Sequence, residues 1–513
     1  MDAASDPRIV IVGAGFGGVA AAIELQRHGF RNLTLLERAP ELGGTWFHNS
    51  YPGAACDVPS HLYSFSYAQR RDWSRICSPQ REIHDYLHHV AREAGVDRLL
   101  APDSDVSSCA WDDGRARWTV RTSDGRSYDA DAVVLATGQL HQPAVPRIEG
   151  GQTFAGHSFH SAQWDHDYDL RGKRVAVVGT GASAVQFVPE IAPVVDRLIV
   201  FQRSGNWFLP RQNRAYPAAV RAAIRHVPWL QAARRRFVFS YCEALTAMIR
   251  HPRTVGRVGA AKSAAFMAWQ LRGDAELRRK VWPDYTFGCK RILFSSHWLP
   301  ALRRPNVALV TDAVAGLAPE GVVSADGTLH EVDCVIYGTG FKANDFMFPM
   351  EVTGAGGRAL REAWTDGAHA HLGMTVPGFP NLFVLYGPNT NTSGGSIIAY
   401  LEAQSAYVRQ ALEEIRRRSA AAIDVRPEVE AANVREVQER FRGTAWTRCD
   451  SWYRTRGGRI VANWPGYMRE YFDRVARLDP DEFAFLSSNG HGEDLEAGDG
   501  DEGDRRGRRT APA

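Results

Sequence analysis

Ile9-Val10-Ile11-Val12-Gly13-Ala14-Gly15-Phe16-Gly17-Gly18 is the stretch from which the fold is read. Its four β-branched residues run without polar alternation, as in a parallel strand buried on both faces. Glycines end the strand, and an alanine-rich run to about His28 has helical character. A second apolar run, Leu33-Thr34-Leu35-Leu36, stops at Glu37. Strand, glycine turn, helix, strand and terminal acid are the parts of a dinucleotide-binding unit. Gly13 permits the tight turn, Gly15 lets a pyrophosphate reach the backbone, and Gly18 lets helix and strand pack closely. The helix N-terminus offers unpaired N–H groups to phosphates, and Glu37 is placed to accept hydrogen bonds from ribose hydroxyls.

The same order of parts returns later in the chain. Arg174-Val175-Ala176-Val177-Val178 leads into Gly179-Thr180-Gly181-Ala182-Ser183-Ala184, then a helix and the strand Leu198-Ile199-Val200-Phe201. Ala184 stands where a third glycine is optional. Glu37 lies 24 positions after Gly13, and Arg203 lies 24 positions after Gly179. An acid suits a free ribose 2′-hydroxyl, whereas an arginine suits a 2′-phosphate. The first unit therefore reads as a site for FAD or NAD, and the second as a site for NADP. Two more apolar runs, Ala132–Leu135 and Cys334–Tyr337, lead into Thr137-Gly138 and Thr339-Gly340 and mark the exits of the two units.

The expected fold class is α/β, with two Rossmann-like dinucleotide-binding domains and a helical insertion in the second. The expected boundaries are 1–150 for the first part of the FAD-binding domain and 151–340 for the NADP-binding domain. The insertion is expected at about 210–285, where Ala, Leu and Arg dominate. Residues 341–486 are expected to complete the FAD-binding domain, and 487–513, poor in large apolar residues, to be a disordered tail.

Composition narrows the function. A chain of 513 residues suggests about three domains. With 44% hydrophobic and 23% charged residues it has the profile of a soluble globular protein. Sixty-one basic against 58 acidic side chains leave +3, too balanced for a dedicated nucleic-acid binder. No apolar run is long enough to cross a membrane, and acidic Met1 to Pro7 has no secretion-signal character. Seven cysteines without a C-x-x-C pair suggest neither a disulfide framework nor a zinc site. An odd number of free thiols fits a reducing cytosol, so a cytoplasmic location is expected.

No metal is expected either. His84 and His88 have the i, i+4 spacing of metal ligands but lack the glutamate of H-E-x-x-H, and read as a solvated helix face. Asp165-His166-Asp167 reads as a surface turn, and Arg234-Arg235-Arg236 as another solvated helix face.

Two remaining segments carry a family resemblance. Phe154-Ala155-Gly156-His157-Ser158-Phe159-His160, with Trp164 and Asp165, lies between the first exit and the second unit and reads as an interdomain linker. Its pattern, F-x-G-x-x-x-H-x-x-x-W-[PD], resembles the fingerprint of the type I Baeyer–Villiger monooxygenases, which are class B flavin-dependent monooxygenases. Gly43-Gly44-Thr45-Trp46, followed by Tyr51-Pro52-Gly53 and Asp57, resembles the second signature of that family. The resemblance runs from about Arg8 to Phe485.

It implies an FAD- and NADPH-dependent enzyme that inserts one oxygen atom from O2 beside a ketone carbonyl. An ester or lactone would form through a C4a-peroxyflavin. That oxygen adduct must attack as an anion, and a guanidinium that cannot lose its proton is suited to stabilise it. By the same resemblance Arg291, in Phe287-Gly288-Cys289-Lys290-Arg291, is the active-site cation and Asp57 its anchor. Gly44, Thr45, Trp46, Asp57, Tyr63, Val106 and Ile397 join Gly13, Gly15, Gly18 and Glu37 around FAD. Lys290 joins Arg203 on the 2′-phosphate of NADP, with Gly179, Thr180, Gly181, Ser183 and Ala184 forming the turn. Arg291 also borders NADP, Trp452 is implied to cover the nicotinamide, and Gly387-Pro388-Asn389 the flavin ring.

The implied partners are a small ketone and O2, with no nucleic acid or membrane. The alternative is an N- or S-oxygenating flavin monooxygenase, a group that usually lacks the equivalents of Trp164 and Asp165. A flavin disulfide reductase is disfavoured without C-x-x-C, and intact signatures weigh against a flavin-binding scaffold without turnover.

Overall fold

The computed structural model describes residues 6–211, 213–392 and 394–487. Ile9–Val12 sits in the middle of a five-stranded parallel sheet and is buried throughout, as its unbroken apolar run requires. It pairs on one side with Leu33–Leu36 and on the other with Ala132–Leu135. Leu100–Ala101 adds one edge and Leu382–Val384, from the last third of the chain, adds the other. The helix Phe16–Arg27 buries most of its first three turns and packs along Ile397–Arg418.

A second parallel sheet has the order Val307–Val310, Arg197–Phe201, Arg174–Val178, Cys334–Tyr337, His157–His160. The segment read as an interdomain linker is thus an edge strand, His157–His160, in register with Cys334–Tyr337. Its aromatic neighbours anchor it: Trp164 packs between Phe159 and Phe187, and His157 stacks on Tyr168. Four helices, Ala218–His226, Pro228–Arg250, Val255–Gln270 and Ala275–Val281, follow Arg197–Phe201 in the chain. A smaller sheet of Glu351–Thr353, Val106–Asp112, Arg117–Thr122 and Ser127–Ala130 packs under the first.

Two further expectations are corrected. Cys289 and Cys449 form a disulfide, with Cα atoms 6.1 Å apart across 160 residues of sequence, so the seven cysteines are not all free thiols. A pair that distant leaves no spacing signal, because only the tertiary fold joins it. The arginine triplet is not a plain solvated face: Arg235 Nη1 donates to the carbonyls of His61, Leu62 and Ser64, fastening Pro228–Arg250 to that turn. The tail expected at 487–513 lies, beyond Ser487, outside the described residues.

Candidate active site

Both glycine turns stand at the C-terminal ends of central parallel strands, where ligands of open α/β sheets gather. Gly13 and Gly179 have φ of +101° and +106°. A Cβ at either would lie 2.6 Å from the Ala136 carbonyl or 2.5 Å from the Gly338 carbonyl. Each turn is therefore pressed against the Thr-Gly exit of its own sheet. Gly18 is equally fixed, since a Cβ there would lie 1.9 Å from the Gly13 carbonyl oxygen. The helices Phe16–Arg27 and Ala182–Ile191 begin at Gly15 and Gly181 without a side-chain cap, leaving their first N–H groups for an anion.

Between the turns lies one cavity of about 2460 Å³. A pocket for one small ligand usually measures about 300–1,000 Å³, so this chamber has room for two dinucleotides and a substrate. Gly13, Gly15, Glu37, Gly44, Thr45 and Trp46 line it from the first unit, with Tyr63, Val106 and Ile397. Gly179, Thr180, Gly181, Ser183, Arg203 and Lys290 line it from the second. Gly18 and Ala184 do not reach the wall and pack helix against strand beneath it. Gly387, Pro388 and Asn389 do not reach it either; their neighbours Tyr386 and Asn391 do.

Glu37 is buried, and its two carboxylate oxygens accept from Ala14 N–H at 2.7 Å and Ala39 N–H at 3.0 Å. These bonds hold an acid at the wall where the first turn opens. Trp46 donates from Nε1 to the Tyr63 hydroxyl at 3.1 Å, so the two rings support each other edge to face. On the opposite wall Lys290 Nζ donates to Ser204 Oγ at 3.1 Å and lies over the Tyr285 ring. Burial lowers its pKa from the ordinary lysine value; the charges of Asp284 and Asp450 oppose that lowering and Arg203 adds to it. Lys290 and Arg203 thus put two cations on this wall, which suits an anionic ligand.

Arg291 pairs with Asp57 on the chamber wall. The Asp57 charge raises the pKa of Arg291. Burial pushes the Asp57 carboxyl up, but the charge and hydrogen bond of Arg291, with help from Arg211, hold it below its usual value. The Arg291 side chain is 43% exposed and lines the chamber while anchored. Burial raises the pKa of the neighbouring phenols Tyr386 and Tyr453, the latter to about 12. Both stay neutral and do not dilute the positive charge. Trp452 is 38% exposed and borders the chamber, so it is not a core residue.

Two residues were not singled out from sequence. Gln186, on the helix of the second unit, donates to the Ala55 carbonyl at 2.9 Å and accepts from Tyr51 hydroxyl and Ala55 N–H. It docks the loop bearing Asp57 onto the opposite unit. A polar residue in the apolar run Ala184-Val185-Gln186-Phe187-Val188 was the available signal. Arg211 Nη2 donates to the Cys56 carbonyl at 2.6 Å, next to Asp57, and nothing local in the sequence marks it.

Comparisons with known proteins agree with this geometry. The family described as pyridine nucleotide-disulphide oxidoreductase matches residues 10–226. The Cys289–Cys449 bond lies outside that match, and neither cysteine lines the chamber. A Baeyer–Villiger monooxygenase of Streptomyces coelicolor is 44% identical over 483 residues, covering 93% of this chain and 92% of its own. The closed crystal structure of cyclohexanone monooxygenase superposes with a TM-score of 0.85 at 28% identity, covering 94% of this chain and 99% of that one. An oxidised steroid monooxygenase bound to NADP superposes with a TM-score of 0.83 at 29% identity, with the same coverages.

Proposed function

This chain belongs to the Baeyer–Villiger monooxygenases, and from that premise we propose that Arg291, held by Asp57, is its catalytic cation. The protein is an FAD- and NADPH-dependent flavoprotein monooxygenase. Its substrate, on our reading, is a small ketone that leaves as an ester or lactone. The observation that carries the proposal is the Arg291–Asp57 pair, set where the two nucleotide turns face one chamber.

The chamber fits both cofactors through uncapped helix ends, glycine turns that reject a Cβ, and paired cations on the NADP side. When bound, FAD and NADPH supply hydride transfer and the activation of O2. The chain supplies position and charge. Glu37 takes the ribose hydroxyls of the first nucleotide, and Arg203 with Lys290 takes the 2′-phosphate of the second. Arg291 provides a fixed positive charge where negative charge develops, and it cannot be titrated away. Asp57 sets its direction, and Trp452 shields the reacting region from water. A cytoplasmic location, where NADPH is made, completes the reading; no helix among the described residues is long and apolar enough to cross a membrane.

The test is turnover of a ketone panel with NADPH under 18O2. One labelled oxygen in an ester or lactone is the expected product. Sulfoxides or N-oxides alone, with no ketone converted, would overturn the assignment in favour of the N- or S-oxygenating reading.

A further inference from the structure

We propose that Glu41, His84 and His88 form a binding site for a zinc-like divalent transition-metal ion. The two histidines share one face of the helix Gln80–Glu93, and the glutamate comes from the loop between Leu33–Leu36 and Gly44. Sequence spacing showed only the histidine pair; the third ligand is supplied by the fold.

Geometry carries the inference. The Nε2 atoms of His84 and His88 face each other at 3.3 Å. A tetrahedral ion with metal–nitrogen bonds of about 2.0–2.1 Å places its two nitrogens about 3.3–3.4 Å apart. Glu41 Oε2 lies 3.4 Å from His88 Nε2, which matches the next edge of the same tetrahedron, and Glu41 Oε1 lies 4.0 Å from His84 Nε2. All three ligand atoms fall within 4.8 Å of one another.

The polar contacts around the two rings define the protonation state an ion requires. His84 Nε2 lies 3.2 Å from the Leu42 carbonyl and 3.3 Å from His88 Nε2, while Glu41 Oε1, at 4.0 Å, is beyond hydrogen-bond distance. Without an ion His84 Nε2–H can donate to the Leu42 carbonyl; an ion needs both Nε2 atoms deprotonated and so takes His84 out of that bond. A cation receives both imidazole lone pairs and the carboxylate together. Imidazole with carboxylate suits zinc, nickel and copper over magnesium or calcium.

The surroundings are shaped for it. Gly43 lies beside His84, where a Cβ would come within 2.8 Å of ring atoms Cδ2 and Nε2, so only glycine leaves that side of the site open. The His84 side chain is 16% exposed and that of His88 25%, while Glu41 is 46% exposed. That leaves an open side for a water as fourth ligand and a path for the ion. Bound there, the ion clamps the Glu41–Gly43 loop to the helix.

The experiment is calorimetric titration of ZnCl2 into the untagged, flavin-loaded protein after chelator dialysis. One equivalent should bind with micromolar or tighter affinity. Glu41→Gln and His88→Ala, both at partly exposed positions, should each weaken binding at least tenfold while the flavin absorption is retained. Co2+ in place of Zn2+ should give visible bands of a tetrahedral site, absent from both variants. No stoichiometric binding by the wild-type protein would overturn the proposal, and so would wild-type affinity in the two variants.

Discussion

Arg291→Ala deletes a charge without touching either glycine turn, so the protein should still bind FAD with an unchanged visible spectrum. Ester or lactone formation should nevertheless fall by at least about two orders of magnitude, the scale for losing a charge-stabilising donor. NADPH should then be consumed to hydrogen peroxide. Arg291→Lys should restore activity only in part, because a compact ammonium lacks the planar guanidinium and its charge that cannot be titrated away. Product yield per NADPH decides, and a near wild-type yield from Arg291→Ala would place the cation elsewhere. On the NADP side, Arg203→Ala should raise KM for NADPH by roughly 10- to 100-fold while barely moving KM for NADH. That range corresponds to about 1.5–3 kcal/mol for a charge-assisted phosphate contact, and equal use of both nicotinamides by the wild type would refute it. Glu37 and Arg203 both line the chamber, and that placement was legible in a local count from each glycine turn. Arg291 was reached through family likeness alone, since its partner Asp57 lies 234 positions away. Gln186 and Arg211 stayed hidden for the same reason, as their contacts are 131 and 155 positions distant.

Among the elements, the short strand Ala422–Val425 carries a pH dependence of its own. Asp424 Oδ2 accepts from Gly378 N–H at 2.9 Å, while its buried Oδ1 has no hydrogen-bond partner. Burial raises its pKa to about 7, against the opposing pull of backbone donors and Arg358. A folded-state pKa above the unfolded one means that the unfolded chain binds fewer protons between about 4 and 7. The stabilising contribution is complete below the unfolded value and is lost as pH rises through the folded one. Asp424→Asn keeps the acceptor and removes the charge. It should raise stability at pH 8 by up to about 4 kcal/mol, from roughly 1.4 kcal/mol per unit, with a smaller gain at pH 5.5. Urea unfolding at the two pH values checks this, and an equal effect at both would contradict it. The central strands were readable because a strand buried on both faces leaves a continuous apolar run. His157–His160 was not, because an edge strand of four residues acquires its identity from Cys334–Tyr337, far along the chain.

The whole molecule is tied together by bonds between distant segments, and the Cys289–Cys449 disulfide is the covalent one. It joins the segment of Lys290 and Arg291 to the segment of Trp452. Closing a loop of that length removes conformational freedom from the unfolded chain worth about 2–5 kcal/mol. Cys449→Ser, or a reductant, should therefore lower the urea midpoint, and an unchanged midpoint with the bond shown to be broken would dismiss the role. The five remaining thiols are buried and should resist modification in the native state. The wiring of the two sheets has a further consequence during synthesis. Every strand of the second sheet precedes Gly338, whereas the first sheet is complete only once Leu382–Val384 has joined Ala132–Leu135. At about 5–20 residues per second, the ribosome delivers that last strand roughly 20–75 s after Ile9–Val12. The nascent chain thus presents a finished second sheet and an unfinished first one, its Ala132–Leu135 edge bare and apolar. Chains in that interval expose an edge ready to pair with another copy, so the sheet begun first and completed last is the one most open to misassembly during synthesis.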